Sequence, residues 1–225
     1  MTRSCTDGRY VYLRHFYPER PYLKHVDYMF QTPTTRVWKQ RFDEGRLNEA
    51  QAKFWRPKPV EELFDLEHDP DEVENLAGDA AHAERVSRMR EAVHRWMVET
   101  GDLGLFPEAE LHRMVADAPS PRDFALAHPE RIERVAQTAL AATDVHSGMT
   151  RDKAIELASD EDAAIRFWAI RGIALRHAAH PATTTPAAVD VLQRAMHDAS
   201  PSVAIAACEA IQIIGAPAAS RAASR

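Results

Sequence analysis

The side chains best suited to chemistry fall in two short runs of the first half of the chain. The first is Arg14, His15, Arg20 and Lys24, spread around the proline-stiffened stretch Tyr17 to Tyr22, YPERPY. A guanidinium presents a planar fork of N–H donors that matches an oxyanion, and an ammonium adds a compact positive charge. These four residues are the candidates for holding an anionic group. Arg20 beside Glu19 also reads as a brace for the loop, and both readings stand. The second run is Asp65, Glu67, Asp69 and Asp71, acids at alternating positions. A calcium loop of the helix–loop–helix kind needs Gly at its sixth place and a bidentate Glu at its twelfth. Counted from Asp65, those places hold Pro70 and Leu76. The acids are therefore read as helix-start chemistry, with Asp69 as N-cap, Pro70 at the first helical position and Glu72 closing the capping box. Cys5 and Cys208 lie far apart without Cys or His at metal spacing, and read as ordinary thiols. His82, His94, His177 and His180 lack a second ligand pair, so no metal site is expected. No serine sits in a nucleophile elbow. The residues thus form no complete catalytic constellation, and no catalytic residue is expected in this chain.

Those runs need elements to carry them. Arg9 to Phe16, RYVYLRHF, is rich in Tyr and Val and comes directly after the turn pair Asp7-Gly8, which predicts a strand with Tyr10, Tyr12 and Arg14 on one face. Two prolines end it, because they remove ladder donors. Val37, Trp38 and Phe42 have helical spacing up to Gly45, and Asn48 with Gln51 forms a capping box for a second helix that RPKP breaks at 56–59. Leu63, Phe64 and Leu66 predict a short strand that pairs with Arg9–Phe16. From Ala80 to Thr100 the residues Val86, Met89, Val93, Trp96 and Met97 make one apolar stripe, and Gly101 caps the helix. Trp96 and Trp168 are both read as core.

Composition changes along the chain. Eight alanines fall in residues 1–115 and 30 in residues 116–225, whereas 14 of the 17 aromatics fall in the first part. This places a domain boundary in the polar stretch Ala116 to Arg122, giving domains 1–115 and 116–225. From Pro129 onward the pattern is helix after helix. SDEDAAIRFWAIRGIAL from Ser159 aligns with HDASPSVAIAACEAIQI from His197, pairing Asp160 with Asp198, Ile165 with Val203, Ala169 with Ala207 and Ile173 with Ile211. The offset of 38 residues from Asp160 to Asp198 suits a solenoid of helix pairs. The half resembles HEAT repeats, with Ile165-Arg166 as the apolar-Arg step and Val203-Ala204 as a degenerate copy. Residues 216–225, APAASRAASR, are expected to fray. The expected class is α+β: a small antiparallel sheet with a long helix packed on it, then an all-α HEAT-like solenoid.

Three blocks carry a second resemblance: DGRYVYLRHFYPERPY from Asp7, KPVEELFDLEHDPDEVENLA from Lys58 and REAVHRWMVETGDLG from Arg90. In order and spacing they are similar to the C-terminal subdomain of the sulfatase family, most of all its heparan N-sulfatase-like branch. The resemblance implies a small sheet and helix docked against a larger α/β domain that holds the active site. It implies calcium and formylglycine for a full-length enzyme, with no cofactor in this chain. Formylglycine arises in a C/S-x-P-S/A-R motif; Cys5-Thr6-Asp7-Gly8-Arg9 has Asp for Pro and Gly for Ser or Ala, and sits at the strand instead of the nucleophile helix. The paired acidic metal motif is absent.

The function expected is therefore the C-terminal part of a sulfuric ester or sulfamate hydrolase, inactive alone, in which Arg14, His15, Arg20 and Lys24 help bind an anionic sulfated substrate. The alternative is a non-catalytic scaffold that binds a protein partner through the HEAT-like repeats. The expected partners are the missing catalytic domain or a protein held by the repeats. The net charge of −6 argues against nucleic acid, and no apolar run approaches a membrane span. The N-terminus has no signal-peptide layout, so the chain is expected to be a fragment, of periplasmic or secreted location if it belongs to an exported sulfatase.

Overall fold

The computed structural model describes residues 1–145, 148–181 and 184–215. The described backbone clusters into two compact units, one over Met1–Met89 and one over residues 90–215.

Alternation of side chains builds the first unit. In β2 (Tyr10–His15), Tyr10, Tyr12 and Arg14 are buried, while Val11 and Leu13 are half-buried. β1 (Thr2–Thr6) and β3 (Glu61–Asp65) flank it in an antiparallel sheet of order β1-β2-β3. Tyr12 stands opposite Leu63 and Arg14 opposite Glu61. The expected pairing of the two strands is thus present. The sequence reading had no counterpart for β1, since TRSCT offers no apolar face to mark a strand. The Asp7-Gly8 turn that joins β1 to β2 has Gly8 at φ 98°, and the Asp7 carboxylate accepts the N–H groups of Arg9 and Tyr10.

Three short helices come next: α1 (Asp27–Phe30), α2 (Pro33–Asp43) and α3 (Glu49–Ala52). α2 carries Val37, Trp38 and Phe42 as expected, and Gly45 leaves it at φ 66°. The Asn48–Gln51 capping box is formed in both directions.

The acidic stretch after β3 corrects the sequence reading. No helix starts at Asp69. Its carboxylate instead accepts the N–H groups of Val73 and Glu74, and Glu72 turns the chain at φ 53°. That positive φ is incompatible with a right-handed helix. The sheet then captures Asn75 and Leu76. Asn75 Oδ1 accepts from Leu63 N–H, Asn75 Nδ2 donates to the Glu61 carbonyl, and Leu76 N–H donates to the Leu63 carbonyl. The segment covers the free edge of β3, which leaves Glu62, Leu63, Phe64 and Asp65 all buried.

α4 (Ala83–Glu99) is the long helix, and the division between the units falls within it. Val86 and Met89 are buried in the first unit, where Met89 accepts from the Cys5 thiol and Arg85 stacks 3.8 Å from the Tyr10 ring centroid. Val93 and Met97 continue the stripe, but Trp96 is 50% exposed. At about 100° per residue Trp96 lies to one side of the line through Val86, Val93 and Met97, so the expectation that it is core fails.

The second unit is helical. α5 (Glu108–Met114) and α6 (Pro121–Ala127) precede α7 (Pro129–Thr143), and α8 (Arg151–Leu157) pairs with α9 (Ala163–Ala179), as α10 (Pro186–Ala195) does with α11 (Pro201–Gly215). This is the HEAT-like region. Of the apolar positions matched by the repeat, Ile165, Ala169, Ile173, Val203 and Ala207 are buried and Ile211 is half-buried, and Trp168 fills the core while donating its indole N–H to the Leu105 carbonyl. Successive layers are tied by Arg–Asp pairs. Arg134 meets Asp160 at 2.8 Å, and Arg166 grips Asp198 with two nitrogens at 2.7 and 2.8 Å. Asp198 also accepts the N–H of Ser200, whose hydroxyl caps α11 by accepting from Val203 N–H, so one carboxylate holds the capping residue and joins it to the previous pair. Residues 216–225 lie outside the described residues.

Gly101 closes α4 at φ 67°, donating to Val98 as Asp102 donates to Met97. A Cβ there would lie 2.6 Å from the Ala125 methyl. Gly101→Ala therefore adds left-handed strain to a clash, and a loss of about 2 kcal/mol is expected, read as a lowered urea midpoint at unchanged slope.

Candidate anion-binding site

The site is built on the end of β2 and the loop it feeds. His15 and Arg14 do not reach solvent: they are 1% and 3% exposed. His15 Nε2 lies 2.7 Å from Glu62 Oε2, and its Nδ1 lies 2.9 Å from the Thr2 hydroxyl. With the Nε2 proton donated to Glu62, Nδ1 accepts from Thr2. Glu62 is 1% exposed, and it also accepts from the Tyr22 hydroxyl and pairs with Lys53 at 3.2 Å. Burial pushes the Glu62 carboxyl up, but His15, Tyr22 and Lys53 together outweigh it and hold the group below its ordinary value. Tyr22, caught between burial and that carboxylate, is raised well above the ordinary tyrosine range. Arg14 faces Glu61 at 3.7 Å and lies near the Phe16 ring, and Tyr12 donates to the same Glu61 oxygen. Arg14, Tyr12 and Glu61 form one polar group and His15, Tyr22 and Glu62 another, on opposite faces of the sheet because successive strand residues alternate.

Arg20 and Lys24 stand apart from both, at the surface. Arg20 lies 5.0 Å from the Tyr17 ring centroid and 3.6 Å from Glu19, so the brace reading and the anion reading occupy the same side chain. The sequence reading missed Lys58. Its ammonium donates to the Arg20 and Pro21 carbonyls, and it lies over the Tyr22 ring at 5.4 Å. Burial first, and then the charges of Lys24 and Arg20, lower its pKa, with Glu19 acting the other way. The charges of Arg20, Lys24 and Lys58 thus act on one another, with Glu19 and Glu62 opposing them. The pattern K-P at 58–59, beside a loop with two prolines of its own, carried no signal of that proximity.

The remaining candidates do other work. Cys5 lies within β1 and donates to the Met89 carbonyl at 3.6 Å; burial, then Asp7, pushes its thiol up, the wrong direction for a nucleophile. Asp65, Glu67 and His68 cluster as metal ligands can, but Arg9 already binds Asp65 at 2.6 Å and Glu67 at 2.8 Å. The Arg9 hydrogen bond is the main cause holding the Asp65 carboxyl far below its usual range. Neither group suits formylglycine or calcium, and no chemical step runs through them. His177 is buried against the Thr184 hydroxyl.

Glu62→Gln tests the second of the two polar groups. A carboxyl held below its ordinary value contributes stability above the unfolded pKa and loses it as pH falls through the folded one. The variant should lose about 2 kcal/mol at pH 7, and the gap to the native chain should narrow as pH falls below the ordinary glutamate range, measured by thermal unfolding across acid pH.

Residues 151–223 match the family model of HEAT repeats. Over 110 residues the chain is 37% identical to the ulvan-active sulfatase of Formosa agariphila, covering 48% of this chain and 18% of that protein. No solved structure matches. Among the described residues no helix is long and apolar enough to cross a membrane. The chain thus combines partial sulfatase homology with a HEAT-repeat region.

Proposed function

We propose that the chain is the C-terminal portion of a sulfatase, of the heparan N-sulfatase-like branch, in which residues 1–115 help shape a substrate pocket completed by a catalytic domain and residues 116–225 form an appended repeat region. The observation that carries this is the shared stretch of 110 residues with the ulvan-active sulfatase. Hydrolysis of the sulfate ester or sulfamate belongs to groups outside this chain, with formylglycine and calcium supplied there.

The part assigned to this chain is recognition. Arg20 and Lys24, joined by Lys58, present the sulfated end of the substrate with a cationic rim. Arg14 and His15 act from below as positioning residues: they fix the end of β2, and Glu62 fixes Tyr22 and so the loop that carries the rim. A planar guanidinium on a braced loop loses little freedom when it accepts an oxyanion.

A second reading rests on a different observation, the match of residues 151–223 to HEAT repeats. Stacked helix pairs give an extended surface for a protein partner. The two roles are compatible in one chain.

In an enzyme that joins this stretch to its catalytic domain, Arg20→Ala and Lys24→Ala should each lower kcat/KM for a sulfated sugar by about tenfold, the scale of one charge-assisted hydrogen bond. The loss should appear mainly in KM. Unchanged kcat/KM in both variants would remove the rim from recognition.

A further inference from the structure

A second cationic surface lies on the three short helices of the first unit. Residues 20–58 carry nine Lys and Arg against four Asp and Glu, a surplus of five in a chain whose net charge is −6. The same span holds seven of the 17 aromatic residues. Yet within it Ala52 is the one buried apolar side chain among the described residues, and neither α1 nor α2 buries any residue. An aromatic-rich segment that stays uncovered marks a surface built for contact.

The aromatics form a connected cluster. Trp38 packs against Phe54 and Trp55 with ring centroids 5.7 and 5.2 Å apart, Phe42 and Phe30 lie on Trp55, and Tyr22 lies on Phe54. Phe54 remains 43% exposed and Tyr28 70% exposed. Cations border the cluster. Lys39 sits over both Phe42 and Trp55, and helical phase puts Lys39 and Arg41 on either side of Trp38 and Phe42. The four acids of the span are each occupied locally: Asp27 by His25, Asp43 by Lys39, Glu44 by Arg46 and Glu49 by Arg56. Arg36 donates to the Phe30 and Gln31 carbonyls and Arg41 acts on Glu44 through its charge, while Lys24, Arg36 and Arg41 all stay exposed.

We infer that the surface of α1–α3 docks a sulfated polysaccharide chain, with flat apolar rings against the sugar faces and Lys and Arg on the sulfates. A polymer needs a surface longer than the pocket for one reacting group, and this one extends the positive charge of Arg20, Lys24 and Lys58 onto Lys39, Arg41, Arg46 and Arg56. Charge complementarity selects a polyanion, and its identity as a sulfated glycan rests on the sulfatase reading above. Single-stranded nucleic acid would answer to the same pairing of rings and cations, so the test must separate the two.

The intact chain is passed over immobilised heparin as the probe, over its desulfated form, and over an immobilised oligothymidylate of similar charge. Retention on heparin is expected, falling steeply as salt rises, because exposed charges are screened over about 10 Å at 0.1 M salt. Arg41→Gln, Arg46→Gln and Arg56→Gln combined should weaken it by about fivefold or more, by removing charge and freeing Glu44 and Glu49, and Tyr28→Ala by about threefold, with thermal midpoints little changed because exposed ion pairs contribute little to stability. Arg20→Ala with Lys24→Ala should change it less. The inference fails if heparin does not retain the chain, if the triple variant binds like the native chain, or if desulfated polymer or oligothymidylate binds equally well. If only the rim variants abolish retention, this surface is discarded and the rim reading stands. If the triple variant alone weakens binding while kcat/KM ignores the rim, this surface stands and the rim reading falls.

Discussion

One buried carboxylate sets the order of the first unit. Glu62 lies in the interior of a small sheet, where an isolated charge would be strongly unfavourable. It is tolerated because three groups from different parts of the chain converge on it: His15 from β2, Tyr22 from the loop beyond it, and Lys53 from the turn after α3. The constraint runs both ways. The charge needs these partners, and its partners hold the loop Tyr17–Tyr22 and the 53–55 turn in one arrangement. The surface features of functional interest, Arg20, Lys24 and Lys58 among them, hang from that arrangement.

The repeats of the second unit use charge in the same way with less burial. Asp198 is pushed up by burial but held below its ordinary value by Arg166 and the Ser200 N–H. Asp160 and Asp198 each accept the N–H of the residue that caps the next helix, Asp162 or Ser200, and also tie the layer before it, so the stacking register depends on where an Asp meets an Arg. In α11 the place of Arg166 is taken by Ala204, and the series of ties ends there. Small residues complete the register: a Cβ on Gly172 would approach the Ala142 methyl to 3.2 Å, so α7 and α9 approach about as closely as a glycine allows.

Charge is also how the two functional readings separate. The rim on the proline loop is a local feature, three cations around one backbone turn. The surface on α1–α3 is a distributed one, in which acids are consumed by neighbours and the excess is left outside. A chain with net charge −6 that sets nine Lys and Arg against four Asp and Glu in residues 20–58, the rim included, has its partner chemistry encoded regionally, which the whole-chain figure hides.

The sequence by itself determined the periodic and locally capped parts. Tyr10, Tyr12 and Arg14 alternate, Asn48 and Gln51 close their own box, Gly101 ends its helix, and the repeat from Asp160 to Asp198 marks its pairs; each signal is carried by residues within a few positions or by a fixed spacing. Tertiary structure decided the rest. Asp69, Pro70 and Glu72 have the grammar of a helix start, but bonds from Asn75 and Leu76 to β3 won over it. β1 has no apolar face and exists because β2 offers an unpaired edge. Arg14, His15, Arg20 and Lys24 are near in sequence yet split between interior and surface, because Glu62, 47 residues beyond His15, draws the histidine inward. Local pattern fixes what a segment is able to form, and the distant partner fixes which groups are left facing a ligand.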